Sequence, residues 1–352
     1  MKVVVVGAGI AGLAAAWELV QAGGCDVTVL ESERRAGGVI VSERVDGFVV
    51  EGGPDAFLAG ETDLPELAGA LGIGDRIVSQ QARGTSVWTG AALAPIDEGR
   101  AAAMLGIEAS KSAVSVGFRS FAGGMYEPVA ALAARLGSVL RFAQGVAGLA
   151  RAGSGWRLAV TGGSAHDVEA VVLAVPAYVA GRILEAVGVT HARSLEDVLY
   201  APSITVSLAY RETQLARALE GSGFVVNPDV AGQIRACTYA SAKFPGRAPQ
   251  GSVLLRAFLA PGDGDPAGRA HPELVRILGI RGEPLWSRPF YWNRGLPRYR
   301  AAHQKQLEEV RHRLSRLPPL AIAGAGYDGA GVSACVRSGR AAGRLIAQLA
   351  SR

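Results

Sequence analysis

The chain has 352 residues, of which 49% are hydrophobic and 19% are charged. This composition excludes general intrinsic disorder, and the length predicts two domains of ordinary size. The net charge of +5 comes from scattered arginines rather than from basic clusters, so we expect no nucleic-acid partner. The 47 glycines are about twice the usual share, which indicates many tight turns or close backbone approaches.

The cysteine pattern and the hydropathy indicate a compartment. Cys25, Cys237 and Cys335 lie far apart and form no Cys/His cluster, so we expect neither a disulfide framework nor a metal site. No apolar run of about 18 residues predicts a transmembrane segment. The apolar start of the chain is interrupted by glycines, which is typical of a strand followed by a helix rather than of a signal peptide. We therefore expect a cytoplasmic protein.

The first predicted element is a strand at Val3–Val6, where a β-branched run is typical of a parallel strand buried on both faces. Gly7, Gly9 and Gly12 follow it directly. In such a unit the first glycine allows a tight turn, the second lets the backbone approach a pyrophosphate, and the third allows close helix packing. Helix formers come next.

A second strand at Val27–Leu30 ends in an acid, Glu31. Glu31 lies about 20 residues past Gly12, the spacing expected for a carboxylate that binds ribose hydroxyls. Because strand, glycines, helix, strand and acid occur in order, the pattern predicts a dinucleotide-binding unit.

Further elements alternate along the chain. A strand pair is predicted at Trp156–Val160 and Val168–Val175, followed by a helix to Leu184. The alternation of apolar residues then predicts an antiparallel sheet from the strands Ser203–Tyr210, Phe224–Val226, Ile234–Tyr239 and Val253–Phe258. The last predicted elements are a basic amphipathic helix at His303–Leu317, an apolar strand from Leu320, a glycine turn and a helix at Gly331–Leu349.

Three segments resemble the extended fingerprint of FAD-dependent amine oxidases and their relatives: Leu30–Gly38, Glu51–Pro54 and Leu320–Gly329. The resemblance implies FAD as the cofactor, with Val146 near the adenine and Asp328 at a ribityl hydroxyl. The residues it assigns to FAD are Gly7, Gly9, Ile10, Ala11, Gly12, Glu31, Ser32, Arg35, Gly37, Gly38, Gly52, Gly53, Pro54, Val146, Trp292, Gly324, Tyr327, Asp328, Gly331 and Val332.

Four further stretches are similar to bacterial FAD-dependent protoporphyrinogen and coproporphyrinogen oxidases: Ala236–Pro249, Arg256–Leu259, Trp292–Tyr299 and Tyr327–Gly339. The resemblance implies oxidation of a porphyrinogen to the porphyrin in haem biosynthesis, with hydride passing to flavin N5 and oxygen as the reoxidant. No catalytic side chain is assigned, because the flavin performs the difficult step.

The substrate implied by this resemblance is a large apolar tetrapyrrole with anionic propionates. Arg83, Lys243 and Arg256 are candidate cations for the propionates, and Met125 is a candidate wall near the flavin. The alternatives are an exposed surface charge for each cation and a core position for Met125.

We therefore expect an α/β fold with a discontinuous Rossmann-like FAD-binding domain from residues 1–80, 119–195 and 318–352. Residues 81–118 and 196–317 are expected to form a second, α+β substrate domain built on an antiparallel sheet. The resemblance implies a monomer or a homodimer.

The chain is short for the family that it resembles. Relatives carry a long helical insertion after Leu93–Gly99, whereas here only a short stretch leads to Phe118. The expected membrane patch goes with that insertion, so we expect no peripheral membrane contact. Two other functions stay open: a related amine or polyene oxidase, and a degenerate protein that binds FAD or a tetrapyrrole without turnover.

Overall fold

The computed structural model describes residues 1–105 and 111–350, so residues 106–110 of the shortened stretch lie outside the described part. Its strands are β1 Lys2–Val6, β2 Asp26–Leu30, β3 Ser42–Val45, β4 Phe48–Glu51, β5 Phe57–Leu58, β6 Ile77–Ser79, β7 Thr85–Trp88, β8 Leu93–Ile96, β9 Phe118–Phe121, β10 Leu140–Arg141, β11 Val146–Ala152, β12 Gly155–Val160, β13 Ala165–Val168, β14 Ala170–Leu173, β15 Leu199–Arg211, β16 Gly223–Val226, β17 Ile234–Tyr239, β18 Ser252–Leu259, β19 Trp286–Arg298 and β20 Leu320–Ile322. Its helices are α1 Ile10–Ala22, α2 Asp63–Ala70, α3 Glu98–Met104, α4 Lys111–Val116, α5 Glu127–Leu136, α6 Ala177–Ala186, α7 Ala240–Lys243, α8 Pro266–Leu278, α9 His303–Leu314 and α10 Val332–Ala350.

A five-stranded parallel sheet carries the predicted nucleotide unit, in the order β10–β2–β1–β14–β20. Val3 and Val5 pack on one face with α1 and α10, and Val4 and Val6 pack on the other face with α6 and α9. Both faces of β1 are therefore buried, as its valine run predicts. The α/β fold and the Rossmann-like organisation are confirmed.

The strand predicted at Val168–Val175 is wrong in one respect, because it forms two strands in different sheets. β13 pairs antiparallel with β12, whereas β14 pairs parallel with β1. Between them the Glu169 amide donates to the carbonyl of Lys2, and its carboxylate accepts from the Lys2 amide. These two hydrogen bonds hold Glu169 beside β1 while the chain passes from one sheet to the other. The apolar sequence runs on through this point, so the hydrophobic pattern does not show that one strand ends and another begins.

The second large sheet has seven strands in the order β19–β15–β18–β17–β16–β7–β8. Its four strands predicted from alternation are present, and α8 covers one face of them with Ala270, Leu274 and Ile277. The sheet is antiparallel except where β7 pairs parallel with β16. No hairpin joins these two strands, because β7 enters from a distant part of the chain, so nothing forces an antiparallel arrangement, and β7 was not among the predicted strands. The domain boundaries themselves stay a prediction.

Helix α10 packs directly on α1 through glycine. A Cβ added to Gly339 would lie 2.0 Å from the carbonyl oxygen of Ala11, and one added to Gly343 would lie 2.6 Å from that of Ala15. The two backbones are therefore in contact, and α1 packs on both α10 and the parallel sheet through buried small and apolar residues. Within the described residues, no helix is both long enough and apolar enough to cross a membrane.

Gly339→Ala should lower the free energy of unfolding by about 1–3 kcal/mol, because the new methyl group overlaps the backbone of α1. Chemical denaturation of the FAD-loaded protein, followed by far-UV circular dichroism, measures this loss. The matched control is Gly69→Ala in α2, where an added Cβ meets no atom within 4 Å. Equal stability of the two variants would contradict the contact between α1 and α10.

Candidate functional site

The predicted cofactor segments meet at one edge of the parallel sheet. Gly7–Gly12 follows β1, Glu31 follows β2 and the turn that begins at Ala323 follows β20. Because the carboxyl ends of parallel strands lie at the same edge, segments that are hundreds of residues apart become neighbours. The edge of this sheet is therefore the candidate site.

The three glycines of the first turn are required for different structural reasons. Gly7 adopts φ +101°, and a Cβ on Gly12 would lie 1.9 Å from the Gly7 carbonyl oxygen. A Cβ on Gly9, by contrast, would meet no protein atom within 4 Å. Gly9 is the N-cap of α1, where helix amides lack intrahelical acceptors and the positive end of the helix dipole favours an anion. The open space at Gly9 fits a pyrophosphate.

Glu31 is buried beside this turn. Its Oε2 accepts from the Ala8 amide at 2.6 Å, and its Oε1 accepts from the Ser32 hydroxyl at 3.1 Å. The chain after β10 lies against the same place, since the Gln144 amide donates to the Glu31 carbonyl at 2.8 Å. The structure thus brings together Glu31, Ser32 and the segment that leads to Val146, as a ribose and adenine pocket requires.

The second glycine pair lies on the first. The Gly37 amide donates to the Ala8 carbonyl at 2.8 Å, and a Cβ on Gly38 would lie 3.7 Å from the Gly9 Cα. Arg35 closes this loop by donating to the carbonyls of Ala36, Gly38 and Ile40. The guanidinium of Arg35 therefore orders the loop and is already engaged with backbone.

The third glycine pair extends the same groove. A Cβ on Gly53 would lie 1.8 Å from the Val39 carbonyl oxygen, so Gly53 is required for the close approach of two loops. Trp292 Nε1 donates to the Gly52 carbonyl at 2.6 Å, which anchors the long strand β19 to this loop. Pro54 then leads into Asp55.

The turn after β20 completes the groove beside α1. Gly324 has φ +124°, and its nearest neighbour for an added Cβ is Ala11 at 3.8 Å. Ser338 Oγ accepts from the Gly324 amide and donates to Asp328, whose carboxylate also accepts from Arg311 at 2.7 and 2.8 Å. Asp328 thus stands at a fixed position near α10, which begins at Val332 directly after Gly331.

Two predicted residues do not present their side chains to the groove. Tyr327 is fully buried, its hydroxyl donates to the Val175 carbonyl, and burial raises its pKa well above the usual range. Met125 is fully buried in the main core, and its amide donates to Glu51. For Met125 the structure favours the core alternative over a wall against substrate.

The three candidate cations differ in exposure. Arg83 is exposed and donates to the carbonyls of Ser115 and Val116. Lys243 and Arg256 are only 9% and 5% exposed. The surface-charge alternative is therefore wrong for these two, because each lies inside the protein where strands of the seven-stranded sheet meet the loop after β4.

These two cations belong to a buried charged cluster, which we define as Glu51, Asp55, Lys243, Arg247 and Arg256. Lys243 Nζ lies 2.9 Å from Asp55 Oδ2, and Arg247 Nη2 lies 3.2 Å from Glu51 Oε1. Burial alone would raise the pKa of Asp55, but the charges of Lys243 and Arg256 outweigh it and lower that pKa to about 2. For Glu51, burial outweighs Arg247 and raises the pKa.

Metal ligation and thiol reactivity were the other chemistries to consider in the described residues. They contain no group of three His, Cys, Asp or Glu side chains that could hold a metal ion. Burial raises the pKa of Cys335 to about 12 and also raises that of Cys237, so neither thiol is a ready nucleophile.

Sequence reasoning missed Glu51, Asp55 and Arg247 as a cluster. The three lie in stretches that we singled out for their glycines or for family resemblance. A buried ion pair between residues 188 positions apart, such as Asp55 and Lys243, leaves no local pattern. The only available signal was the density of Lys and Arg in the apolar stretch from residue 243 to residue 256.

Gly9→Leu should fold but lose bound cofactor, because its side chain fills space that the protein leaves open. We expect the flavin content of the purified protein to fall by at least about tenfold. The ratio of flavin to protein absorbance measures it, with Gly69→Leu as the control. A Gly9→Leu protein with full flavin content would refute the proposed position of the pyrophosphate.

Asp55→Asn should destabilise the protein by about 3 kcal/mol near pH 7, because it leaves Lys243 buried without its partner. Asp55 has a lowered pKa, so its contribution to stability is present above about pH 4 and is lost as the pH falls towards 2. Unfolding measured from pH 7 to pH 3 should therefore show the difference in stability between wild type and variant constant above about pH 4 and beginning to narrow towards pH 3.

The control for this change is Asp167→Asn, which breaks the exposed pair between Arg157 and Asp167. Its effect should be much smaller than that of Asp55→Asn, because water screens an exposed ion pair. In addition, Lys243→Met in the Asp55→Asn background should recover part of the loss. If Asp55→Asn and Asp167→Asn lowered the free energy of unfolding by similar amounts, the buried pair would contribute no more to stability than the exposed pair does.

Comparison with known proteins identifies the family. The sequence profile described as flavin containing amine oxidoreductase matches residues 10–95 and 83–347. A coproporphyrinogen III oxidase of Propionibacterium freudenreichii subsp. freudenreichii is 26% identical, over 96% of this chain and 89% of its own length. That alignment runs over 475 positions, more than the 352 residues of this chain, so the relative contains stretches with no counterpart here.

A second relative and a solved structure support the same family. A coproporphyrinogen III oxidase of Bacillus subtilis strain 168 is 28% identical, but over only 55% of this chain and 43% of its own length. A solved structure from Exiguobacterium sp. 255-15, provisionally assigned as a protoporphyrinogen oxidase, superposes with a TM-score of 0.85 at 22% identity, over 99% of each chain. The sequence profile, the relatives and the fold are all consistent with a glycine-lined groove that binds FAD. The chain belongs to the flavin containing amine oxidoreductase family and is an FAD-dependent oxidoreductase.

Proposed function

We propose that this protein oxidises a porphyrinogen to the porphyrin, with coproporphyrinogen III as the first candidate and protoporphyrinogen IX as the second. The observation that carries the proposal is the coproporphyrinogen III oxidase relative that aligns with 96% of this chain. When bound, FAD would accept a hydride at N5 from a meso carbon, and oxygen would reoxidise it three times per porphyrin.

The side chains of this protein would bind and orient rather than transfer protons. In this proposal the cofactor would meet backbone at Gly9 and Gly38, where an added Cβ has little or no protein contact, and polar groups of the cofactor would lie near Glu31 and Asp328. The described thiols and tyrosines with shifted pKa values are all raised, which suits a site without an ionised nucleophile.

Among the predicted propionate cations, Arg83 is the one with an exposed guanidinium. Its segment runs beside the buried cluster, since the amides of Gln81 and Ala82 donate to the carbonyls of Lys243 and Ala242. We propose Arg83 as the propionate contact, and we assign Lys243 to the ion pair with Asp55. An arginine suits a carboxylate because its fork of donors binds both oxygens.

Anaerobic mixing tests the reaction class. The purified, FAD-loaded protein is mixed with coproporphyrinogen III, protoporphyrinogen IX or a primary amine, and flavin absorbance is followed without oxygen. We expect bleaching by coproporphyrinogen III within one turnover and porphyrin fluorescence after air is admitted.

The same experiment separates the other two functions. Bleaching by the amine alone would contradict the proposal and favour an amine oxidase. A fully loaded flavin that no donor reduces would also contradict it, in favour of a protein that binds FAD without turnover. The Gly9→Leu protein is the matched blank, because it lacks the flavin.

A further inference from the structure

The buried charged cluster holds more positive than negative charge. Asp55 pairs with Lys243, and Glu51 pairs with Arg247. Among the described residues Arg256 has no such partner: its Nη2 reaches the Thr205 hydroxyl at 3.5 Å, the outer limit of a hydrogen bond. Arg256 is nevertheless only 5% exposed, so one guanidinium charge is buried without a counter-ion in contact.

Two guanidinium donors of this cluster also lack acceptors. Arg247 Nη1 and Arg256 Nε are buried, and no described residue accepts a hydrogen bond from either of them. Arg247 itself is only 2% exposed. Buried donors without acceptors are rare, because they forfeit hydrogen bonds that water would otherwise supply.

Both arginines line one small cavity of about 10 Å³, together with Glu51, Asp55, Ser207 and Phe244. A space of this size holds one water-sized particle. A carboxylate, with three heavy atoms, exceeds it. The volume therefore favours a monatomic occupant. An anion is favoured because it would supply the counter-charge that Arg256 lacks, since the carboxylates of Asp55 and Glu51 that line the cavity are already paired with Lys243 and Arg247.

We propose that this cavity binds one chloride ion, which accepts hydrogen bonds from Arg247 Nη1 and Arg256 Nε. Chloride would balance the charge of the Arg256 guanidinium and accept a hydrogen bond from both donors. Water would accept the hydrogen bonds but would leave that charge without a counter-ion. Burial also raises the pKa of Glu51, so any protonation of that carboxylate increases the positive excess. The proposal does not rest on the proposed reaction.

Thermal unfolding in matched salts tests the site. The FAD-loaded protein is unfolded in sodium gluconate, sodium chloride and sodium bromide at one ionic strength. We expect Tm to be about 2–4 °C higher in the two halides, because an ion that binds only the folded state stabilises it. Equal Tm values in all three salts would overturn the proposal.

A matched pair of variants ties the effect to the cavity. Arg256→Gln should abolish the difference between halide and gluconate, whatever its own Tm, while Arg217→Gln, which alters an exposed arginine, should retain it. A halide effect that persists in Arg256→Gln would overturn the proposed site.

If Arg256→Gln does not fold, crystals of the wild-type protein grown in bromide decide the question. We expect an anomalous peak in the cavity, within hydrogen-bond distance of both arginines. Density for water with no anomalous signal would overturn the proposal.

Discussion

Close backbone contact at the first turn of α1 is the constraint on which the rest of the structure depends. A Cβ on Gly12 would lie 1.9 Å from the Gly7 carbonyl oxygen, and one on Gly339 would lie 2.0 Å from that of Ala11. Helix α1 therefore lies against both the sheet and α10 with no side chain between them. Because α10 follows the turn at Gly324, this contact brings the second glycine turn beside the first, and one dinucleotide can touch both.

The buried charged cluster sets a second constraint, where loops of the predicted FAD-binding segments meet strands of the seven-stranded sheet. Ser120 links the two sides, since its hydroxyl donates to the Asp55 carbonyl and accepts from Arg247 Nη2. Buried ion pairs add little net stability, but the loss of one partner is costly. The cluster therefore restricts how the seven-stranded sheet is positioned relative to the loops that line the candidate cofactor groove.

Local rules carried the prediction of the first glycine turn, family resemblance supplied the other segments of the candidate groove, and long-range contacts explain what was missed. Gly7, Gly9 and Gly12 could be assigned because the turn, the helix start and the packing each require glycine within a few residues. Gly339 could not, because a glycine inside a helix shows no sign of the carbonyl that it faces. The burial of Arg256 and the parallel pairing of β7 likewise depend on partners far away in sequence.

A crystal structure of the protein with bound FAD tests the central claim most directly. We predict that the pyrophosphate lies over the Cα of Gly9, with its oxygens within hydrogen-bond distance of the Ile10 or Ala11 amide, and that the adenosine ribose reaches Glu31. A pyrophosphate bound away from the N-terminus of α1, with another segment of the chain covering Gly9, would contradict it.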